Sequence, residues 1–331
     1  MCNIWQKHST DELTPEEVRW FFRRAPHFRW VHLTGGELFV RRDLEEIVAA
    51  IQEECPSLFL LNFPTTGWYS DRTVSLVKGA LARQPGRLMV TISIDGPREL
   101  HERLRGIPGS WERGIETFRR LRELRQRNFQ VVAGMTLLPA NVGAVDDTIA
   151  AIAAEVPGFT RADLHLNLGH ESSHYFANVG SAPILRSEAR QAFAAHRHQN
   201  AWRAHPVAFL EDRYQALLAS YLDTGRSPLP CTALSSSCFV DPHWNVYACT
   251  IWDAQVGNLR AEAFDLAALW RSPRRQALRA EVTAERCAHC WTPCEAYPTI
   301  LGNLLGACRP RLPVRGSETI GPETTRLDVA E

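Results

Sequence analysis

FRWVHLTGGELFVRRDLEEIVAAI, residues 28–51, places a strand, a glycine turn and a helix in succession. Residues 28–33 are mostly aromatic, apolar or β-branched and lead into Gly35 and Gly36, which predicts a strand followed by a tight turn. Asp43 stands at a predicted helix N-cap, with Glu46 completing a capping box. Apolar residues then recur at the spacing of one buried helix face, at Leu44, Ile47, Val48 and Ile51.

This βα order recurs along the first half of the chain, at intervals of roughly thirty residues. Five strand-like stretches end near Gly36, Gly67, Gly96, Pro139 and Gly169. The pattern predicts an α/β fold with a parallel sheet, either an open doubly wound sheet or a closed or partial (β/α) barrel. In both architectures, functional side chains gather at the carboxyl ends of the strands.

Composition narrows the function classes. The chain has 331 residues and a formal net charge of zero, which argues against a general nucleic-acid or membrane-surface binder. No stretch reaches the roughly 18 apolar residues of a membrane span, and no signal peptide is visible. We therefore expect a cytoplasmic protein, where a reducing environment favours metal sites over disulfides.

The cysteines are concentrated in the last third of the chain. CAHCWTPC places Cys287, Cys290 and Cys294 at C-x2-C-x3-C spacing, which lets their thiolates converge on one metal centre. Further thiolates are available at Cys231, Cys249 and Cys238. Zinc sites usually pair two C-x2-C knuckles, so this irregular spacing favours an iron–sulfur cluster over zinc and over buried free thiols.

Two polar motifs follow predicted strands. Gly35 and Gly36 would let the backbone approach a ligand closely, and Glu37 adds an acceptor, although a plain βα turn with a solvated glutamate fits equally well. Ser93 and Asp95 lie two apart on one strand face, and a nearby arginine, such as Arg105, could bind a carboxylate. An Asx turn with a surface ion pair is the alternative.

Together these residues resemble the radical S-adenosylmethionine (SAM) superfamily, in the branch with a C-terminal SPASM or twitch auxiliary-cluster domain. The resemblance rests on LTGGELFVRRDLEEIV, TISIDGPRELHERLRGIPGSWER, VDPHWNVYAC, VGNLR and CAHCWTPCE. It implies a partial (β/α)6 barrel lacking its first strand, over residues 1–205, and a helix and linker over 206–230. A SPASM/twitch-like domain would follow over 231–305, and a flexible tail over 306–331.

The family's C-x3-C-x2-C signature follows the first barrel strand, and its last cysteine often precedes Asn-Ile-Trp. Cys2, followed by Asn3, Ile4 and Trp5, is similar to that ending. The chain as given would then lack the first strand and two of three core-cluster ligands. A start codon assigned too late or a degenerate relative would explain this, and we favour the first.

The resemblance also implies cofactors and their ligands. A core [4Fe–4S] cluster would use Cys2, and SAM would contact Gly35, Gly36, Glu37, Ser93, Asp95 and Arg105. One auxiliary [4Fe–4S] cluster would take its ligands from Cys231, Cys249, Cys287, Cys290 and Cys294, with Cys238 in reserve. One departure stands out, because position 244 is glycine in the family pattern and Trp244 here.

The implied function is reductive cleavage of SAM to a 5′-deoxyadenosyl radical, which abstracts hydrogen from a peptide or small-molecule substrate. A cytosolic electron donor would be the partner, and neither nucleic acid nor membrane is expected. Two alternatives remain. One is a non-catalytic iron–sulfur or zinc scaffold, and the other is a metal-independent α/β binding protein.

Overall fold

The structure is a computed structural model and describes residues 2–6, 9–83, 86–180, 186–198 and 206–304. Its main sheet has five parallel strands in the order β1-β2-β3-β4-β5. The strands are β1 Trp30–His32, β2 Leu60–Thr65, β3 Arg87–Ser93, β4 Phe129–Leu137 and β5 Leu164–Leu168. The predicted flexible tail, 306–331, lies outside the described residues.

The strand order distinguishes between the two architectures that the sequence left open. Each strand pairs with the next strand along the chain, and the described sheet contains no point at which that order reverses. A doubly wound sheet requires such a reversal, whereas a barrel adds its strands consecutively. The prediction of five consecutive parallel strands in a partial barrel is confirmed.

Helices cover the outer face of this sheet. Six of them lie between the strands or just before them: α1 Pro15–Arg24, α2 Leu44–Glu54, α3 Ser70–Arg83, the pair α4 Arg98–Arg105 and α5 Ser110–Arg122, and α6 Val145–Glu155. The outer face is apolar, since Leu61 pairs with Leu88 and both of these side chains are buried. Burial of these side chains is the main force that holds helices against strands.

The inner face of the sheet is polar by contrast. Register places His32, Asn62 and Gln130 on a continuous row with Met89. A second row, nearer the carboxyl ends, joins Ser93 with Gly134 and His165. Because alternate residues face opposite sides of a strand, the same alternation that builds the outer core presents these polar groups to the inside.

The predicted capping box at α2 is wrong. Asp43 holds the N-cap position, but its side chain makes no hydrogen bond to the helix. Its carboxylate instead accepts hydrogen bonds from Arg41 Nε at 3.0 Å and Arg41 Nη2 at 2.9 Å. A bidentate guanidinium is a stronger partner than a backbone N–H group, and it takes the carboxylate away from the cap.

A second unit follows two further helices, α7 Arg186–His198 and α8 Pro206–Thr224. It contains an antiparallel sheet of β6 Phe239–Val240, β7 Asn245–Tyr247 and β8 Gln255–Asn258. β6 and β7 form an antiparallel hairpin that ends just before Cys249, and β8 pairs with β7. Three helices complete this unit: α9 Leu266–Arg271, α10 Pro273–Thr283 and α11 Pro293–Asn303. No helix of the described residues is long and apolar enough to cross a bilayer.

Trp244 explains the departure at the glycine position of the hairpin. Its φ is +65°, a left-handed conformation that costs a residue with a side chain more than it costs glycine. The side chain offsets that cost, because the indole is 3% exposed and packs against Phe21 of α1. Its Nε1–H donates to Glu17 at 3.1 Å. Trp244 therefore packs the second unit against the first helix of the barrel.

Candidate functional site

The turn after β1 is fixed from inside by Glu37. Its carboxylate accepts hydrogen bonds from Thr65 Oγ1 at 2.9 Å, Thr66 N at 2.7 Å and Thr66 Oγ1 at 2.6 Å. Gly35 has φ of +150°, which favours glycine, and Gly36 lies against Ile4. Glu37 thus holds the glycine turn against the carboxyl end of β2, beside the segment that contains Cys2.

Asp95 and Arg105 form a second part of this edge. Asp95 is 1% exposed, and its Oδ1 accepts the Thr136 N–H at 3.0 Å. Its Oδ2 pairs with Arg105 Nη2 at 2.7 Å. Arg105 Nε is buried and has no hydrogen-bond partner among the described residues. A buried, unpaired N–H on a half-buried guanidinium fits an anionic ligand group, such as a carboxylate.

Cys2 lies at the same edge. Burial raises the pKa of its thiol, whereas a backbone hydrogen bond from Ile4, the N-terminal charge and the Arg105 guanidinium lower it in part. Asn3 N–H donates to Phe176 O at 2.7 Å, which attaches the segment to the loop after β5. The structure therefore brings Cys2, the glycine turn and Arg105 to one region, and Ser93 ends β3 there, half-buried.

The C-terminal cysteines form a separate centre. Cys231, Cys249 and Cys290 belong to one packed group with Ala233, Ile251 and Val282. Cys249 Sγ accepts the Trp252 N–H at 3.2 Å, and Cys231 Sγ accepts the Ala233 N–H at 3.5 Å. Thiolates that receive backbone N–H groups are typical ligands of iron–sulfur clusters, whose potentials respond to such bonds.

The other candidate thiols have different surroundings. Cys287 is close enough to Cys231 for its charge to raise the pKa of that thiol. Cys294 is the second residue of α11. Burial raises the pKa of Tyr175, and the nearby Cys294 and Cys2 add to this effect. Cys238 packs against the main core. Tyr175 is therefore influenced from both cysteine regions.

Burial keeps the thiols of this centre protonated while no metal is bound. It raises the pKa of Cys231 to about 11 and that of Cys294 to about 12, with the nearby Glu295 charge adding to both. Burial also raises the pKa of Glu295 to about 7, and its Oε2 has no hydrogen-bond partner among the described residues. Metal binding would have to release thiol protons, as it does in other thiolate sites.

The cysteine chemistry fits a cluster better than a single ion. Within the part of the chain that the structure describes, no three His, Cys, Asp or Glu side chains are arranged around a point that one metal ion could occupy. A cuboidal cluster separates its thiolate ligands more widely than one ion does, and it takes sulfur donors throughout. The packed group of Cys231, Cys249 and Cys290 offers three sulfur donors for such a cluster.

A polar cluster on the inner face was missed from the sequence. His165 Nδ1 of β5 pairs with Glu211 Oε2 of α8 at 2.6 Å, and Tyr297 of α11 donates to the same carboxylate. Burial alone would lower the pKa of His165, but Glu211 raises it above its usual value. These residues come from three elements far apart in the chain, so no local spacing could have indicated the cluster.

A known family model matches the cysteine-rich part of the chain. Residues 231–291 match the model of the SPASM family, an iron-sulfur cluster-binding domain. The chain carries a SPASM domain. The match covers Cys231, Cys249, Cys287 and Cys290, and it includes the β6–β8 sheet. The SPASM domain thus contains all three cysteines of the packed group.

The chain is also similar to a curated bacterial protein. The sporulation killing factor maturation protein SkfB of Bacillus subtilis (strain 168) is 29% identical over 165 residues, which are 49% of this chain and 37% of SkfB. The matched region is therefore well under two thirds of that relative's length.

Solved structures support the fold. Native anSMEcpe with bound AdoMet has a TM-score of 0.55 at 12% identity, covering 88% of this chain and 86% of that one. The same protein with AdoMet and the Kp18Cys peptide gives 0.54 at 13% identity, covering 82% and 75%. The chain has the architecture of a radical SAM enzyme with a SPASM domain. The ligand assignments made from the sequence stay predictions.

Proposed function

We propose that this protein cleaves S-adenosylmethionine reductively and uses the product radical to abstract hydrogen from a peptide. Cys2 would be one ligand of a core [4Fe–4S] cluster, and the SPASM domain would hold one auxiliary [4Fe–4S] cluster. When bound, the core cluster and SAM together supply a 5′-deoxyadenosyl radical. The protein's own contribution is to bind, orient and shield the reacting groups.

One observation carries the proposal. The Arg105 guanidinium is paired with the buried Asp95 carboxylate, and its Nε has no hydrogen-bond partner in the described part of the chain. It is also close enough to Cys2 to offset part of the rise that burial causes in that thiol's pKa. A cation held in this way, beside a cluster cysteine and a glycine turn, suits the carboxylate of a SAM methionine group. The AdoMet bound in the related barrels supports this interpretation.

The surrounding residues have distinct roles in this proposal. Gly35 and Gly36 present backbone groups to the methionine amino group, and Glu37 holds the turn at the end of β2 through its bonds to Thr65 and Thr66. Ser93 is placed to bind the ribose or the carboxylate. Asp95 positions Arg105, because its carboxylate is fully engaged by Arg105 and the Thr136 N–H.

A peptide is the substrate that the comparisons favour. One related structure contains a bound peptide, and SkfB is described as a maturation protein for a killing factor. The inner face of the sheet offers polar groups that suit peptide amides, including Gln130 and Asn167. We propose a cytosolic electron donor as the protein partner, and a small molecule remains the second substrate class.

The test is release of 5′-deoxyadenosine. The gene is expressed with the codons upstream of Met1 included, and the protein is purified without oxygen, reconstituted with iron and sulfide, and given SAM and dithionite. We expect 5′-deoxyadenosine from the wild type and none from Cys2→Ala. The matched control is Cys55→Ala, since the Cys55 thiol donates to the Pro26 and Phe28 carbonyls and packs in the core of the barrel.

The outcomes separate the candidate functions. Product from wild type and Cys55→Ala, but not from Cys2→Ala, supports the proposal. Equal release from Cys2→Ala would show that Cys2 is not a core-cluster ligand. An iron-loaded wild type that releases no 5′-deoxyadenosine would overturn the proposal and favour the non-catalytic iron–sulfur scaffold.

A further inference from the structure

The loop after β5, residues 170–178, lies between the two candidate cofactor regions, and we name it the bridge loop. It is held by its own hydrogen bonds. Ser172 N–H donates to Asn178 Oδ1 at 3.0 Å, Phe176 N–H donates to Ser172 Oγ at 2.8 Å, and Asn178 Nδ2 donates to His170 O at 2.9 Å. A loop with this many internal bonds moves as one body.

One side of the bridge loop binds the proposed SAM region. Phe176 O accepts the N–H of Asn3, the residue after Cys2, at 2.7 Å. The Tyr175 hydroxyl is hydrogen-bonded to Thr34 Oγ1, immediately before Gly35. The loop therefore contacts both the cysteine segment and the glycine turn.

The other side binds the SPASM domain next to its cysteines. His174 Nε2 donates to the carbonyl of Cys249 at 3.0 Å. The N–H of Trp291, the residue after Cys290, donates to His170 Nε2 at 3.3 Å. Phe176 also packs against the group that contains Cys231, Cys249 and Cys290. The backbone of Cys249 is therefore hydrogen-bonded to this loop, and so is the backbone of the residue after Cys290.

We propose that the bridge loop couples the two cofactor sites, so that filling the auxiliary site fixes the backbone of the SAM-binding turn, with Tyr175 as the positioning residue. This inference rests on the proposed function, which assigns the two cofactor sites, although its test does not require catalysis. Anchoring Cys249 and Cys290 to a cluster restrains His174 and His170. Because the loop is internally bonded, that restraint reaches Thr34 and Asn3 through Tyr175 and Phe176.

The arrangement differs from simple packing between two domains. Simple packing would join the domains at places unrelated to their cofactors, as Trp244 and Glu17 do. The bridge loop instead bonds directly to residues adjacent to Cys2, Gly35 and Cys290, and to Cys249 itself. A change in order at one site therefore has a short hydrogen-bonded route to the other.

Hydrogen exchange measured by mass spectrometry tests the coupling on the full chain. Cys2→Ala is the background, so that reconstitution with iron and sulfide loads only the SPASM domain. We expect loading to slow amide exchange in residues 33–39 as well as in 287–294. In Tyr175→Phe, which keeps the aromatic packing on Phe239, the slowing at 287–294 should remain and that at 33–39 should be lost.

A second measurement and a control sharpen the test. Val179, which is 70% exposed, lies just beyond the bridge loop, so Val179→Ala should keep the full response. In the complete enzyme, Tyr175→Phe should raise the dissociation constant for SAM about fivefold, the equivalent of one hydrogen bond, and Val179→Ala should not change it.

Two results would contradict the coupling. In the first, loading leaves amide exchange in residues 33–39 unchanged in the Cys2→Ala background. In the second, loading slows exchange in residues 33–39 as much with Tyr175→Phe as without it. Failure of the proposed function would have a different signature, namely normal coupling without release of 5′-deoxyadenosine. Iron content and circular dichroism of each variant show whether it has folded and loaded.

Discussion

Asp95 shows how a single buried carboxylate can prepare a neighbouring cation for a ligand. Its two oxygens are used differently, one by the Thr136 N–H and one by Arg105. A guanidinium left alone in this half-buried place would be costly to desolvate. The carboxylate lowers that cost and also fixes the direction in which the free Nε of Arg105 points.

Asp95→Asn should therefore destabilise the protein much more than removal of an exposed ion pair. We expect a loss of about 3 kcal/mol in the free energy of unfolding, because Arg105 keeps its charge without a partner. Asp71→Asn is the matched control, since Asp71 pairs with Arg120 while 93% exposed, and it should cost less than about 0.5 kcal/mol. Urea denaturation measures both, and equal losses would contradict the buried-pair argument.

At the scale of elements, the cluster of His165, Glu211 and Tyr297 ties β5 to α8 and α11. The carboxylate lies inside the barrel, where burial alone would raise its pKa. The charge of His165 and hydrogen bonds from His165, Tyr297 and Gln215 outweigh burial, so the pKa of Glu211 is lowered. The result is an ion pair facing the same space as the polar inner rows of the sheet.

The pH dependence of stability should report this pair. The lowered Glu211 pKa stabilises the fold above the usual carboxyl value of 4.5, and this contribution is lost as pH falls through the folded pKa. The raised His165 pKa stabilises it below the usual imidazole value of 6.5, and this contribution is lost as pH rises through the folded pKa. The pair is therefore most stabilising between these two values.

Glu211→Gln should cost roughly 3 kcal/mol of unfolding free energy at about pH 5.5 and clearly less at about pH 8.5. Asp212→Asn, on the same helix, removes a pair with Arg197 that is nearly half exposed, and it should change little at either pH. Urea denaturation at both pH values gives the comparison. A pH-independent loss for Glu211→Gln would mean that the carboxylate acts through packing and not through charge.

The sequence predicted the barrel elements well because each strand and helix has one buried face. The spacing of Leu44, Ile47 and Ile51 predicts the buried face of α2, and all three side chains are buried there. Asp43 failed as a cap because Arg41, two residues away, competes for it. Glu211 could not be predicted, since its partners stand 46 residues before it and 86 residues after it in the chain.

At the scale of the whole molecule, two of the attachments between the barrel and the SPASM domain differ in kind. One is structural, through Trp244 and Arg260 to Glu17 of α1. The other is the bridge loop beside the cysteines. The cysteine spacing predicted that a cluster site exists, but not that a loop of the barrel would lie against it, because that contact depends on how the two units dock.

Replacing single cysteines tests which of them serve the auxiliary site. Cys290→Ala should lower the iron content after anaerobic reconstitution and weaken the visible absorbance of the cluster, because Cys290 belongs to the packed thiol group. Cys238→Ala is the matched control, since this thiol packs against the main core, and it should retain the iron. Iron loss from Cys238→Ala equal to that from Cys290→Ala would place Cys238 among the ligands.

The pairing of Glu17 with Arg260 has a consequence for synthesis on the ribosome. The two residues are 243 positions apart, whereas each strand of the barrel pairs with the next strand along the chain. The sheet can therefore assemble while the chain is still emerging, because its contacts are the more local ones. One partner of α1, Arg260, arrives only with the last third of the protein, so this helix, which can pair early with Glu53 and Glu54 of α2, completes its contacts late.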